Sequence, residues 1–205
     1  MDRKLAWVGL ASLALIALAI VATLMLGKPP QFRGTTYDPL VPAPEIALKK
    51  ANGEEYRLTD QKGKVVLLYF GYTYCPDICP TTLATLKQAY TNLGSDANKV
   101  EIVFITVDPD RDTPQSMQRY VNQFDASFIG LSGSTADLQP VWTEYGIFRE
   151  LGPKDASGNY IVSHTARILV VDKQGNLHLS YPYGEQWQDI LFDLRLLINQ
   201  GGSQG

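Results

Sequence analysis

Cys75 and Cys79 are the only thiols in this 205-residue chain. They lie in Tyr69-Phe70-Gly71-Tyr72-Thr73-Tyr74-Cys75-Pro76-Asp77-Ile78-Cys79-Pro80-Thr81-Thr82-Leu83, where an apolar run of strand type leads into Cys75 and a helical pattern opens at Cys79. Thiols just past a strand and at the front of a helix suit redox chemistry or a soft metal, because unpaired N–H groups and the helix dipole stabilise a thiolate there. The spacing puts both sulfurs on one side of a turn. It is wide enough to clamp a metal, and a modest local adjustment would bring them within disulfide range. Pro76 and Pro80 stiffen the loop. The plainer alternative is a structural bridge, but a lone short-loop disulfide gains little chain entropy.

A third donor can be sought by elimination, since the chain has two histidines. His178 alternates with apolar residues in Asn176-Leu177-His178-Leu179-Ser180 and reads as a solvent-facing strand residue. His164 stands in Ile161-Val162-Ser163-His164-Thr165-Ala166, at the start of a late strand. Two thiolates and one imidazole form a soft three-coordinate set that suits Cu(I), and Cu(II) with a further ligand. Structural zinc would want a fourth protein ligand. Copper is therefore the expected metal.

Positioning these residues is the task of the surrounding elements. Glu45 to Leu48 and Glu55 to Leu58 flank an Asn-Gly turn and predict a hairpin. Val65 to Phe70 and Val100 to Val107 are continuous apolar runs, as in strands buried on both faces. Helical patterns cover about 80–93, from Asp112 or Thr113 to 124, from Ser134 or Thr135 to 145, and 185–199. Phe128 to Leu131 reads as a short strand. Residues 146–163 read as long and irregular. Arg167 to Asp172 and Leu177 to Tyr181 read as a second hairpin.

This order predicts an α/β, thioredoxin-like sandwich with an extra N-terminal β-hairpin. In that fold the loop holding His164 faces the cysteine loop. A thioredoxin-type oxidoreductase keeps a cis-proline there, whereas this chain has no proline between 154 and 181.

Leu5 to Leu26 is uncharged and almost wholly apolar, long enough to span a hydrocarbon core of about 30 Å. Against a cleaved signal stand its length and the lack of a small-x-small site. It is expected to be one transmembrane anchor, with residues 1–4 cytoplasmic and 27–44 a Pro/Gly-rich tether. Residues 45–200 are the copper-binding domain and 201–205 a flexible tail. From Thr35 onward Lys+Arg is 18 − 4 = 14 and Asp+Glu is 21 − 1 = 20. A net charge near −6 argues against a nucleic-acid surface.

The cysteine motif with its preceding Phe70-Gly71-Tyr72-Thr73-Tyr74 resembles the signature loop of the Sco/SenC family. Val107-Asp108-Pro109-Asp110-Arg111-Asp112-Thr113-Pro114 is similar to the family's second motif, and Ser163-His164-Thr165-Ala166-Arg167 to its third. The resemblance runs from about Phe32 to Gln200, and includes the anchor. It implies a membrane-anchored copper chaperone for the CuA centre of cytochrome c oxidase, with Cys75, Cys79 and His164 as copper ligands. It also implies that the cysteine pair can reduce a disulfide in subunit II, the client. Other copper chaperones or thiol reductants are implied partners, and a bacterial plasma membrane the expected location.

Asp108, Asp110 and Asp112 mimic the start of a calcium loop, but Thr113 replaces the required glycine and Arg119 the bidentate Glu. Calcium is rejected. Asp108 and Asp77 are assigned a supporting or docking role near the metal. Tyr72, Tyr74, Trp142 and Tyr145 read as packing residues. The rivals are a thiol–disulfide reductase, a thioredoxin-like peroxidase and a redox or copper sensor. Against the reductase stand the three-residue cysteine spacing and the missing proline. Against the peroxidase stands the absence of a Thr-x-x-Cys pattern, since Tyr72-Thr73-Tyr74 precedes Cys75.

Overall fold

A computed structural model describes residues 7, 12–18 and 31–200 of the chain. It forms two compact units, 1–31 and 32–205. In the first, residues 12–18 are helical. The anchor expected at 5–26 lies largely outside the described residues, and among those described no helix is long and apolar enough to cross a membrane.

The second unit is built on one mixed sheet. Its strands are β1 (Thr35–Pro42), β4 (Val65–Gly71), β5 (Val100–Thr106), β6 (Ile129–Leu131), β9 (Arg167–Val171) and β10 (Asn176–Pro182). Their order is β1-β10-β9-β4-β5-β6. β4 runs parallel to β5 and antiparallel to β9, and β5 runs parallel to β6. Every residue of β4 is buried, as a continuous apolar run between two layers requires.

Four helices cover the sheet: α1 (Ile78–Thr91), α2 (Pro114–Val121), α3 (Thr135–Glu144) and α4 (Trp187–Asn199). Thr113 and Ser134 cap α2 and α3 through reciprocal capping boxes, supplying acceptors for N–H groups that a helix start leaves unpaired. The N-terminal hairpin is present as β2 (Ala47–Lys49) and β3 (Glu55–Arg57), turned at Gly53 with φ +86°.

Three expectations are revised. Residues 35–42, expected in the tether, form edge strand β1 against β10. The stretch expected to be irregular contains a hairpin, β7 (Arg149–Leu151) against β8 (Val162–His164). His178 is not solvent-facing: its side chain is 13% exposed and its Nδ1 lies 3.1 Å from Asp172 Oδ2, with the Phe32 ring edge-on at 5.0 Å.

Candidate metal centre

β4 and β5 end side by side, with Gly71 opposite Thr106. Open α/β sheets place their sites at this carboxyl edge. The chain leaves β4 through Tyr72 and Thr73, reaches Cys75 and enters α1 at Ile78, so that Cys79 is the second residue of the helix. The helix thus starts two residues earlier than its pattern predicts. Pro80 is tolerated because first-turn N–H groups have no intrahelical partner.

Cys79 is buried, Cys75 is half-buried, and both are free thiols. The backbone N–H of Cys79 donates to Cys75 Sγ at 3.4 Å. Hydrogen bonding from the Cys79 thiol, aided by His164 and by the N–H groups of Cys79 and Asp77, lowers the Cys75 pKa to about 4 against the opposing effect of burial. The Cys79 pKa moves up, because its proton is shared toward Cys75 and because it is buried. The pair therefore gives up one proton easily and holds the second, as coupled sites do.

His164 arrives from the other side on β8. Its Nδ1 lies 3.0 Å from the carbonyl of Thr165. That partner places a proton on Nδ1 and turns Nε2 toward the cysteine pair, as in metal-binding histidines. Nε2 lies 3.7 Å from Cys79 Sγ, and one donor atom from each of Cys75, Cys79 and His164 lies within 4.8 Å of the others. A metal bonded at about 2.3 Å to sulfur and about 2.05 Å to nitrogen separates sulfur from nitrogen by roughly 3.6–3.8 Å, and the two sulfurs by roughly 3.8–4.0 Å, for tetrahedral to trigonal angles. The set therefore fits a shared soft ion with no other described protein donor in the cluster. Cys75 and His164 open on a cleft of about 410 Å³ that Ile78 and Ala166 also line, with Cys79 buried behind them, leaving room for an incoming ligand.

Several supporting residues were not visible in the sequence. A Cβ on Gly71 would lie 2.7 Å from Cys79 Sγ and 2.7 Å from Phe104 Cε2, so the buried sulfur rests on this glycine. A lone glycine closing an apolar strand is a signal of such close approach. Asp112, read as a helix cap, is instead buried and ties the loop after β4 to the end of β5. It accepts from Thr73 N at 3.1 Å, Thr73 Oγ1 at 2.5 Å and Thr106 Oγ1 at 2.9 Å. Burial pushes its pKa up against those hydrogen bonds.

Asp108 is fully buried, so it cannot dock a partner directly. It accepts from Arg111 Nε at 2.5 Å and from Tyr160 Oη at 2.8 Å. Asp77 is exposed, with its carboxylate taking the Thr81 hydroxyl at 3.3 Å and its N–H supporting Cys75. Of the tyrosines read as packing, Tyr72 is buried and accepts the Val162 N–H at 3.2 Å, while Tyr74 is 59% exposed beside Cys75.

These features define a thioredoxin-like protein with a dithiol–imidazole cluster at its sheet edge that could hold a soft metal. The family model described as SCO1/SenC matches residues 43–199, and the chain belongs to that family. Its fold is similar to that of apo Sco1 from Thermus thermophilus, 39% identical with a TM-score of 0.75 over 83% of this chain and 99% of that one. It is also similar to Bradyrhizobium japonicum ScoI, solved with copper bound, 35% identical with a TM-score of 0.70 over 77% of this chain and 99% of that one. The mitochondrial SCO2 homolog of Mus musculus is 39% identical over 133 residues, 64% of this chain and 52% of that protein. The chain spans about half the length of the mammalian relatives it matches.

Proposed function

We propose that this protein is a membrane-anchored copper carrier that holds one copper through Cys75, Cys79 and His164. It passes the copper by ligand exchange to the CuA site of cytochrome c oxidase subunit II. Residues 5–26 anchor it in a bacterial plasma membrane, and the domain lies outside the cytoplasm. The observation that supports this most is the convergence of two thiols and the His164 Nε2 from separate elements into one cluster, which Cys75 and His164 open to a cleft.

The roles follow from the geometry. Cys75, the half-buried and readily ionised thiol that lines the cleft, is the group that meets a partner. Cys79, fixed in the first turn of α1 and seated on Gly71, is the retained sulfur. His164 completes the set from a separate arm and can leave without disturbing the thiols. Cu(I) is satisfied by the two sulfurs, whereas Cu(II) draws on the imidazole. Metal content and affinity of the reduced full-length chain, beside Cys75→Ser and His164→Ala, test the assignment. One tightly held copper, lost in the first variant and weakened for Cu(II) in the second, is the expected result.

The pairing of a low-pKa Cys75 with a proton-holding Cys79 favours a second activity on the same client. The Cys75 thiolate attacks a client disulfide, releasing one client thiolate and leaving a mixed disulfide. Cys79, losing its proton to that thiolate, then attacks Cys75 Sγ. The client leaves with one thiol and one thiolate, the latter taking its proton from water, and a Cys75–Cys79 disulfide remains for an external thiol reductant. Reduction of a disulfide in a subunit II peptide, lost in Cys75→Ser, is the corresponding test.

A further inference from the structure

The hairpin carrying His164 makes no strand pairing with the main sheet. An isolated two-stranded hairpin is marginally stable in water, so side-chain ties to the body help to set where His164 sits, beside its short link to β9. Tyr160, four residues before His164, donates to buried Asp108 at 2.8 Å. Asp108 also accepts from Arg111 Nε. The Arg111 guanidinium lies 3.6 Å from the Tyr160 ring centre and 4.8 Å from that of Tyr74, the neighbour of Cys75. Tyr72, at 5.7 Å on the same guanidinium, accepts the Val162 N–H and meets the His164 ring edge-on at 5.8 Å. At the base of the arm Arg149 Nε donates to the Val107 carbonyl at 2.7 Å.

We propose that Asp108, Arg111 and Tyr160 form a latch that positions His164 against the cysteine pair, and so controls the imidazole limb of the site separately from its thiol limb. This rests on His164 being the third ligand. Asp108 anchors the latch in the core. Arg111 joins the arm, through Tyr160, to the cysteine loop, through Tyr74 and Tyr72. A planar guanidinium can stack between two rings while donating sideways to a carboxylate, which a lysine ammonium cannot do. The latch touches no ligand atom, so these are positioning residues. Releasing it frees the arm without moving Cys75 or Cys79, and the metal then rests on two sulfurs alone.

The test uses the purified full-length chain with Tyr160→Ala, Tyr160→Phe and Arg111→Lys. Tyr160→Ala leaves the Asp108–Arg111 pair intact, and Arg111→Lys keeps a cation opposite Asp108, so neither strands a buried charge. In the metal-free chain, amide exchange at 149–151 and 162–164 is expected to quicken about tenfold or more in Tyr160→Ala and Arg111→Lys, with β4 and β5 unchanged. With copper, Cu(II) affinity is expected to fall about tenfold in both, and the nitrogen signature in the Cu(II) resonance spectrum to fade toward that of His164→Ala. Cu(I) affinity is expected to change by less than about threefold. Tyr160→Phe, which keeps the ring on Arg111, is expected to recover part of each effect. Wild-type exchange and a wild-type Cu(II) signature in Tyr160→Ala and Arg111→Lys would overturn the latch. A native chain whose copper binding is indifferent to His164→Ala would overturn the ligand assignment instead, and the exchange rates would still report on the latch.

Discussion

Gly71→Ala isolates the seat of Cys79 from the ligands themselves. The new methyl would lie 2.7 Å from Cys79 Sγ and 2.7 Å from Phe104 Cε2, about 0.7 Å inside the closest ordinary contact. Phe104 cannot yield, because it is fully buried and stacks between Tyr69 at 5.6 Å and Tyr120 at 5.8 Å. The sulfur and the first turn of α1 must move instead. Overpacking a filled site costs about 1–3 kcal/mol. In a folded unit of this size that lowers the melting temperature by about 2–12 °C. A ligand displaced beyond about 0.5 Å leaves the productive geometry, and copper affinity is expected to fall about ten- to a hundredfold, in the range seen when supporting groups are removed. Competition against a Cu(I) chelator reads the affinity and thermal unfolding of the metal-free chain reads the packing. Wild-type values in both would refute the close approach. Loss of stability with unchanged affinity would show that the sulfur's seat has no bearing on metal binding.

Other perturbations separate the remaining parts. Tyr69→Phe should leave stability within about 1 kcal/mol, because its buried hydroxyl makes no hydrogen bond of normal geometry, only looser contacts to Thr82 and Cys79. The phenol influences the Cys79 sulfur, so the sulfur-to-copper absorption of the Cu(II) form should shift. Asp112→Ala strands the Thr73 N–H and the Thr106 hydroxyl and should cost about 3 kcal/mol or more in chemical denaturation, whereas Asp112→Asn should cost about 1–2 kcal/mol. Alkylation of the reduced chain should be selective for Cys75. Its rate should stay high as pH falls from 8 to 5 and drop only near the lowered pKa of about 4, since the thiolate persists above that value. A midpoint near the ordinary thiol value of about 8.5 would contradict the shared-proton account.

Much of the site was legible because its residue types are scarce. With two cysteines and two histidines in the chain, scarcity together with the expected place of the His164 loop opposite the cysteines pointed to Cys75, Cys79 and His164. The buried strands β4 and β5 announced themselves as unbroken apolar runs. What stayed hidden depends on contacts between distant residues. β1 passes through a proline-rich stretch and pairs with β10 from the far end of the chain. The β7–β8 hairpin has a long loop and little apolar alternation, and is held by Arg149, Tyr160 and Val162 reaching elements 42 to 90 residues away. The burial of Asp108 and Asp112 could not be read locally, because nothing nearby in the sequence marks a carboxylate whose partners arrive through the fold. His178 likewise pairs with Asp172 across its own hairpin.

The account stands most directly on copper binding by the reduced full-length chain, measured as stoichiometry and as Cu(I) and Cu(II) affinities beside Cys75→Ser, Cys79→Ser and His164→Ala. One copper per chain, lost for both oxidation states with either cysteine and weakened chiefly for Cu(II) without His164, is the predicted result. Copper binding that survives loss of both cysteines, or that ignores all three side chains, would contradict it.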